Sequence, residues 1–466
     1  MHRMFKALLA LTLVGAGAAS SRAAVTPQDA QKLYDRVTPS LVAVQYIWQN
    51  ELSRVELTGA GIIVRDDGLV MVSLSLFPLQ IPDAQMKEFK ILIPKEDGEP
   101  QELETIYQGR DQRTNMVFLK TKEEQHWKSL QFEDEAVKIG QPVLSIGMLP
   151  KDANYKTYFV EGAVAATLRG DTPQVLVMGG GLASVGSPVF DTAGKAIGIV
   201  APSTTQSPLL NDQNPRDPLG MVTRPPKIYI PARDFLLGIK DPPTPENPIK
   251  LPWLGVAQMT GVTKDLADVL GLGAQPAVQI GDVVPNAPAD AAGLKQGDII
   301  VKVNDQPLER GDEPAELPMI LSRRLMRMKP GTAVTLSIMR EKDQPLKNVE
   351  IKLSEQPKQA NLAKRYYASD LGFAVRELVF SDLYSLKLPL DQKGVLVALL
   401  KPQGAAQSGG LKMNDVITKL NSEPATDVDQ FEKTFKQLRK DKPKEAIVLE
   451  VHRGDREDTV RLEPPQ

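Results

Sequence analysis

Apolar residues recur along this chain with two different periods, and the change of period marks out its elements. Over residues 25–39 the apolar positions Ala30, Leu33, Tyr34 and Val37 stand three or four apart, which gathers them on one side of an α-helix. Pro27 suits the first turn of that helix, and Thr38-Pro39 ends it. From Ser40 the pattern shortens to β-branched and apolar runs at 41–47, 59–64, 70–76, 89–93, 115–120 and 142–147. Further runs follow at 160–168, 174–178, 189–190, 196–200 and 227–230. Many short strands separated by Gly, Asp and Pro turns predict an all-β barrel or sandwich. Residues 201–226, rich in Pro, Ser, Thr, Asn and Asp, read as a surface loop, and a short helix at 232–238 closes the unit.

The proline-rich stretch Lys240-Asp-Pro-Pro-Thr-Pro-Glu-Asn-Pro-Ile-Lys then breaks the pattern and marks a connector. Behind it a weak repeat of about a hundred residues appears. The first copy has Trp253-Leu254-Gly255-Val256 and later Ala-Pro-Ala-Asp-Ala-Ala-Gly-Leu-Lys-Gln-Gly-Asp-Ile-Ile, ending at Ile300. The second has Asp370-Leu371-Gly372-Phe373 and later Gly-Ala-Ala-Gln-Ser-Gly-Gly-Leu-Lys-Met-Asn-Asp-Val-Ile, ending at Ile417. Each copy continues into a helical stretch, 317–328 and 428–439, and a strand, 333–340 and 446–453. The boundaries are 1–24, 25–240, 241–251, 252–356 and 357–466: a leader, a β unit, a linker and two repeats. The methionine- and arginine-rich run 319–328 reads as a core helix, with Ile320, Leu321 and Leu325 inward and the arginines in solvent.

Length and composition agree: 466 residues exceed one core, and 42% hydrophobic with 24% charged residues describes a globular chain. Residues 1–24 read as a secretory signal, with His2, Arg3 and Lys6, an apolar run from Ala7 to Ala19, and small residues near Ser21-Arg22-Ala23. The apolar run is too short and diluted for a span, so no membrane segment is expected after processing. The 56 lysines and arginines meet 58 acids, and the leader holds three of the former and none of the latter. This balance offers no electrostatic case for nucleic acid. With no cysteine and only His126 and His452 beyond the leader, no metal centre or cofactor site is expected. His126 falls in a charged turn, His452 on a surface strand, and Asp66-Asp67 in a hairpin turn.

The stretch Gly179 to Val200 carries the chemistry to be judged: a glycine-rich bend, then strand, turn Asp191–Gly194, and strand. Its pattern G-x-x-G-[GS]-P-V-F-D-x-x-G-x-x-I-G-I resembles the nucleophile region of trypsin-like serine proteases, in particular the bacterial HtrA/DegP family. Nucleophilic acyl transfer needs a hydroxyl, an imidazole, a carboxylate to hold it and N–H donors for the oxyanion. Lined up on Gly186, Pro188, Gly194 and Gly198, the family's nucleophile position holds Val185. The histidine position, in Gly68-Leu-Val-Met-Val-Ser-Leu-Ser-Leu-Phe, holds Ser75, and the aspartate position, in Asp111-Gln-Arg-Thr-Asn-Met-Val-Phe-Leu, holds Asn115. Ala183 replaces an oxyanion-loop glycine and Ser187 a second glycine. The resemblance therefore implies a family member without its catalytic triad. The alternative is an active serine endopeptidase working through an atypical serine: Ser75, Ser184 or Ser187.

The repeated A-x-x-[AS]-G-[LG]-x-x-[GN]-D-[IV]-I signature resembles PDZ domains in their bacterial arrangement. The resemblance covers nearly the whole mature chain and implies a mainly β fold: a trypsin-like double β-barrel followed by two α+β PDZ domains. It further implies peptide capture at Leu254, Gly255 and Val256, and at Leu371, Gly372 and Phe373. There an extended C-terminus joins a sheet edge and backbone N–H groups hold its carboxylate. Pro252, Trp253 and the long stretch 261–279 make the first groove the more irregular one. Expected partners are peptide C-termini or unfolded envelope proteins, with a homotrimer or a mixed oligomer with an active HtrA-like protease, in the periplasm or secreted. The role expected is that of a chaperone-like factor, scaffold or regulator.

Overall fold

A computed structural model describes residues 25–95, 97–169, 172–203, 225–342, 344–454 and 456–464. The proposed leader and most of the loop 201–226 lie outside the described residues. The first helix, α1 (Pro27–Val37), begins as its sequence dictates: Thr26 accepts the Asp29 N–H and Pro27 occupies the first turn. Leu33 and Val37 are buried, and Arg36 donates to the carbonyl of Gly194, fixing the helix to the turn of the 179–200 stretch.

Two closed six-stranded barrels follow. The first contains β1 (Leu41–Gln49), β2 (Arg54–Arg65), β3 (Leu69–Ser73), β4 (Met86–Ile93), β5 (Gln101–Asp111) and β6 (Met116–Thr121), closed in the order β1-β2-β3-β6-β5-β4. The second contains β7 (Pro142–Met148), β8 (Thr157–Leu168), β9 (Gln174–Met178), β10 (Pro188–Phe190), β11 (Ala196–Val200) and β12 (Ile228–Pro231), in the order β10-β11-β12-β9-β8-β7. Alternation fills each barrel: Val42, Val44, Tyr46, Ile63, Val70, Val72, Val117 and Leu119 pack inside the first, and Val143, Val164, Val175, Val177 and Val189 inside the second. A third cluster, including Leu33, Ile62, Met71, Phe118, Ile146 and Phe190, joins α1 to both barrels. This is the double β-barrel that the family resemblance implied, and of the barrel or sandwich left open by the strand pattern it is the barrel.

Several predicted elements shift. The strand predicted at 70–76 ends at Ser73, whose side chain caps a tight turn over Leu74–Leu76. β5 went unpredicted because its inward residues include Thr105 and its outward ones mix Gln101, Glu102 and Glu104 with Ile106, which blurs the alternation. The helix at 232–238 is instead a single turn, Ala232–Asp234, followed by Leu236–Lys240.

Each repeat forms an antiparallel sheet with one long helix. The first sheet runs Val256–Gly261, Val278–Val283, Ile299–Val303, Ala333–Met339, Lys347–Lys352, and its helix is Leu317–Met326. The second runs Arg365–Ala368, Phe373–Glu377, Val395–Leu400, Val416–Leu420, Ile447–Arg453, Arg456–Leu462, and its helix is Val428–Asp441. The last strand of each was missed because its outward positions are charged. Ile320, Leu321 and Leu325 are buried as expected, but the arginines of that helix are not simply solvated. Arg324 donates to the carbonyls of Val303 and Pro307, and Arg327 reaches the buried Asp234 at 2.6 Å, tying the first repeat to the second barrel.

Candidate functional site: an altered barrel cleft and two unlike grooves

Each of the three positions singled out in the barrels lies on a turn, and the fold joins two of these turns, those of Ser75 and Asn115. Asp111 is fully buried, and its carboxylate accepts from the Arg113 backbone N–H at 3.0 Å and from its guanidinium at 2.9 and 3.0 Å. The pair shapes the turn that presents Asn115, which sits in the left-handed region at φ 57° just before β6. In the sequence motif Asp111 is merely the first residue; its structural part in the turn shows only in the fold. The Asn115 carbonyl accepts from the Leu74 N–H at 2.9 Å, so the Ser75 turn and Asn115 are neighbours in backbone. Their side chains part: the Ser75 hydroxyl pairs with that of Ser73 at 2.8 Å, while the Asn115 amide donates to Thr172 of the second barrel at 3.2 Å.

The 183–187 bend lies against β7 and the first barrel. Gly147 permits this: a methyl there would stand 2.6 Å from Ala183 Cβ and 2.8 Å from the hydroxyls of Ser184 and Ser187. Gly186, at φ 89°, faces the Ala60 carbonyl of β2. Val185 is 4% exposed, Ser184 3% and Ser187 2%. The two serine hydroxyls pair at 2.9 Å, and Ser184 also accepts from the Met148 N–H at 3.3 Å. Nearby, burial pushes the Tyr158 phenol up to about 12.

Three backbone donors of the bend are also engaged. The Ala183 N–H donates to Ser145 Oγ at 3.2 Å, and Ser145 in turn donates to the Pro188 carbonyl at 3.0 Å. Gly186 N–H donates to the Val200 carbonyl and Ser187 N–H to that of Ser184. An oxyanion site needs such N–H groups aimed at one point in the cleft. Here the N–H of Ala183 is turned inward, a detail that no sequence motif signals. His126 is exposed, as expected, in a cleft with Asp66, Asp67 and Lys120 on the first barrel. His452 faces Glu457 at 3.7 Å on the outer strands of the second repeat. Among the described residues, no group of three metal-ligating side chains forms.

The loops of the two repeats are built alike. In the first, the Leu254 carbonyl accepts from the Ala289 N–H and that of Gly255 from the Val284 N–H, each at 2.9 Å. In the second, the Leu371 carbonyl accepts from Ala406 at 2.9 Å and that of Gly372 from Lys401 at 2.8 Å. Both glycines have positive φ, 83° and 73°. Both repeats also bury an aspartate, Asp298 or Asp415, against an arginine, Arg340 or Arg453, at 2.7 Å.

The grooves differ. In the first repeat the strand before the loop, Pro252–Trp253, pairs away with Ser354–Glu355, leaving Val256–Gly261 at the edge of its sheet. At its far end a Cβ on Gly261 would stand 1.7 Å from the Pro314 carbonyl, so only glycine fits there. In the second repeat the strand before the loop, Arg365–Ala368, folds back onto Phe373–Glu377, pairing Tyr366 with Val375 and Ala368 with Phe373. The N–H groups of Leu371 and Gly372 donate to the Ala368 carbonyl at 3.2 and 2.8 Å. The expectation that the first groove would be the irregular one is reversed: the second has its edge taken by its own chain.

Comparison with known proteins identifies these parts. A model of the trypsin-like peptidase domain matches residues 59–199, and a PDZ domain model matches 254–353 and 369–463. The chain is 25% identical over 413 residues, 86% of its length and 75% of the relative's, to a probable periplasmic serine endoprotease DegP-like of Rhizobium meliloti strain 1021. It is 24% identical to a protein of the same name from Bartonella henselae, covering 93% of this chain and 79% of that one. Among solved structures it resembles the HtrA-type protease AlgW with decapeptide, with a TM-score of 0.51 and 18% identity over 71% of this chain and 99% of that chain, a likeness of fold. PDZ domains and HtrA homologues fit peptide binding and oligomerisation. The relatives' periplasmic names agree with the envelope location expected from the leader, and among the described residues no helix is long and apolar enough to cross a membrane. The chain is a homologue of the DegP/HtrA proteins, built as a trypsin-like peptidase domain followed by two PDZ domains.

Proposed function

We propose that this is a catalytically inactive member of its family, an envelope pseudoprotease that binds C-terminal or unfolded peptide segments through its PDZ domains. Val185 carries the reading: an isopropyl group in the nucleophile position cannot attack a carbonyl. Three further features support it. Ser75 and Asn115 supply neither imidazole nor carboxylate, no histidine lies between the leader and His126, and the Ala183 N–H is committed to Ser145. Against the rival, an endopeptidase with an atypical serine, Ser184 and Ser187 are buried and bonded to each other, and the Ser75 hydroxyl bonds to Ser73.

The first PDZ unit is the receptive one in this reading. Its edge strand Val256–Gly261 offers backbone groups, and Leu254 and Gly255 form the loop that would hold a terminal carboxylate. The protein then acts as a chaperone-like factor, scaffold or regulator, as a homotrimer or mixed with an active relative. The test is an assay of casein cleavage and fluorophosphonate labelling on the native protein beside Val185→Ser. Both should be inactive, because the imidazole is missing from each. Turnover or labelling of the native protein at Ser75, Ser184 or Ser187 overturns the reading.

A further inference from the structure

We propose that residues 365–368 are an internal ligand of the second PDZ groove, and that they hold this PDZ unit against the first barrel. An incoming apolar C-terminus gains the groove only by displacing them, and so releases the unit. The inference rests on the peptide-binding reading only for the external ligand.

The seating is that of a bound peptide in each respect that the backbone can show. The segment runs antiparallel to Phe373–Glu377 with its C-terminal end at the loop, in the register Arg365 to Arg376, Tyr366 to Val375, Tyr367 to Ala374 and Ala368 to Phe373. The Ala368 carbonyl takes the N–H groups of Leu371 and Gly372, donors suited to a terminal carboxylate. Side chains alternate along a strand, so Ala368 and Tyr366 share a face. Ala368 is buried in the core of the unit, and the Tyr366 ring lies 6.1 Å from Phe431 and 5.9 Å from Phe435 on the helix Val428–Asp441. Phe373 meets the same two rings at 6.1 Å each, and Lys436 stands over the Tyr366 face at 5.7 Å. Burial pushes the Tyr366 phenol up from its ordinary value.

The same segment is anchored to the first barrel. Arg365 forks onto Glu51 with contacts of 2.9 and 3.1 Å, and both side chains are largely buried. Just upstream, the Asn361 amide donates to Asp83 at 3.2 Å and Gln359 pairs with Gln112 at 2.9 Å. One strand thus makes two docking contacts, one with the groove and one with the barrel. A competitor has one chemical advantage: a carboxylate presents two charged oxygens to donors that now share one carbonyl. The internal segment has the advantage of tethering, which acts as a high effective concentration. The apparent affinity for an outside peptide is lowered by the fraction of molecules with the strand released. By linkage, weakening Arg365–Glu51 strengthens peptide binding, and peptide binding weakens docking.

The test uses the full chain and a labelled peptide copied from it, Lys-Arg-Tyr-Tyr-Ala with a free carboxylate, against native protein, Glu51→Gln and Arg365→Gln. The two variants break the anchor from opposite sides, so a folding defect in one leaves the other informative. Hydrogen exchange read by mass spectrometry reports the 365–377 amides directly. The expectation is exchange about 10-fold faster in both variants, peptide affinity about 5-fold higher, and protection by bound peptide over 371–377. Equal exchange and equal affinity in all three proteins overturn the proposal. Peptide protecting only 254–261 in every protein also overturns it, while leaving the reading of the first unit intact. Loosened 365–377 with tighter binding at 371–377, but no binding at 254–261, keeps this proposal and removes that reading.

Discussion

The two PDZ units share a loop, a helix and a buried Asp–Arg pair, yet the strand leading into each loop goes to a different place. In the first unit Pro252–Trp253 turns away to pair with Ser354–Glu355, and the ring of Trp253 meets Phe380 of the second unit at 5.2 Å. In the second, Arg365–Ala368 returns along its own edge strand. Proline in the first strand lacks the N–H that such a return requires, whereas Arg-Tyr-Tyr-Ala has every donor and two strand-favouring rings. The comparison teaches that a PDZ signature specifies the frame of a groove, while the few residues upstream of the loop decide whether the groove is vacant.

The largest expected effects test what the units share. Arg340→Leu and Arg453→Leu each strand a buried aspartate, and with the arginines partly exposed the cost should be about 3 kcal/mol in either unit. Denaturant titrations differing by more than about 1 kcal/mol between the two would mean that the pairs are not equivalent. The loop glycines should then separate the units. A methyl on Gly255 would lie 2.4 Å from Ala287 Cβ, but on Gly372 only 3.0 Å from Lys401 Cβ. Gly255→Ala should therefore cost about 3 kcal/mol and Gly372→Ala about 1–2, since both also force alanine to positive φ. Equal losses would break that contrast.

Tyr366→Ala should destabilise the second unit by about 2 kcal/mol, by removing a half-buried ring from Phe431 and Phe435. Removing Trp253, its nearest positional counterpart, should leave the Val256–Gly261 amides exchanging as before. The smallest effect concerns the groove helices. Asp427 caps Val428–Asp441 through the Gln430 N–H at 2.9 Å, and that backbone bond holds its carboxyl below the usual carboxylate range. A lowered folded pKa means that the contribution is complete above the unfolded value and disappears as pH falls through the folded one. Asp427→Ala should cost about 1 kcal/mol at neutral pH, discounted for exposure, and nothing at the acid end. The first unit's helix, Leu317–Met326, is entered through the turn Pro314–Glu316, where the Glu316 carboxylate accepts from the Asp312 and Glu313 N–H groups at 2.8 and 3.3 Å, so Glu316→Ala is the counterpart there.

Legibility in the sequence followed physical origin. Strands whose inward residues are aliphatic, such as β1 and β11, stood out because burial selects their period. β5 did not, because a barrel wall tolerates Thr105 inside and charges outside. The candidate positions Ser75, Asn115 and Val185 were read from flanking glycines and apolar residues, and each falls in a turn of the fold. The inward turn of the Ala183 N–H could not be foreseen: it depends on Ser145, 38 residues away in sequence.

From the chain alone come the periodicities, the repeat, the frame of two barrels and two PDZ units, and the residue types available at each turn. These are local properties, written in side chains that must face either core or water. Which backbone completes each open sheet edge was decided only in three dimensions. Main-chain N–H and carbonyl groups are the same at nearly every residue, so their pairing is settled by whatever packing places beside them.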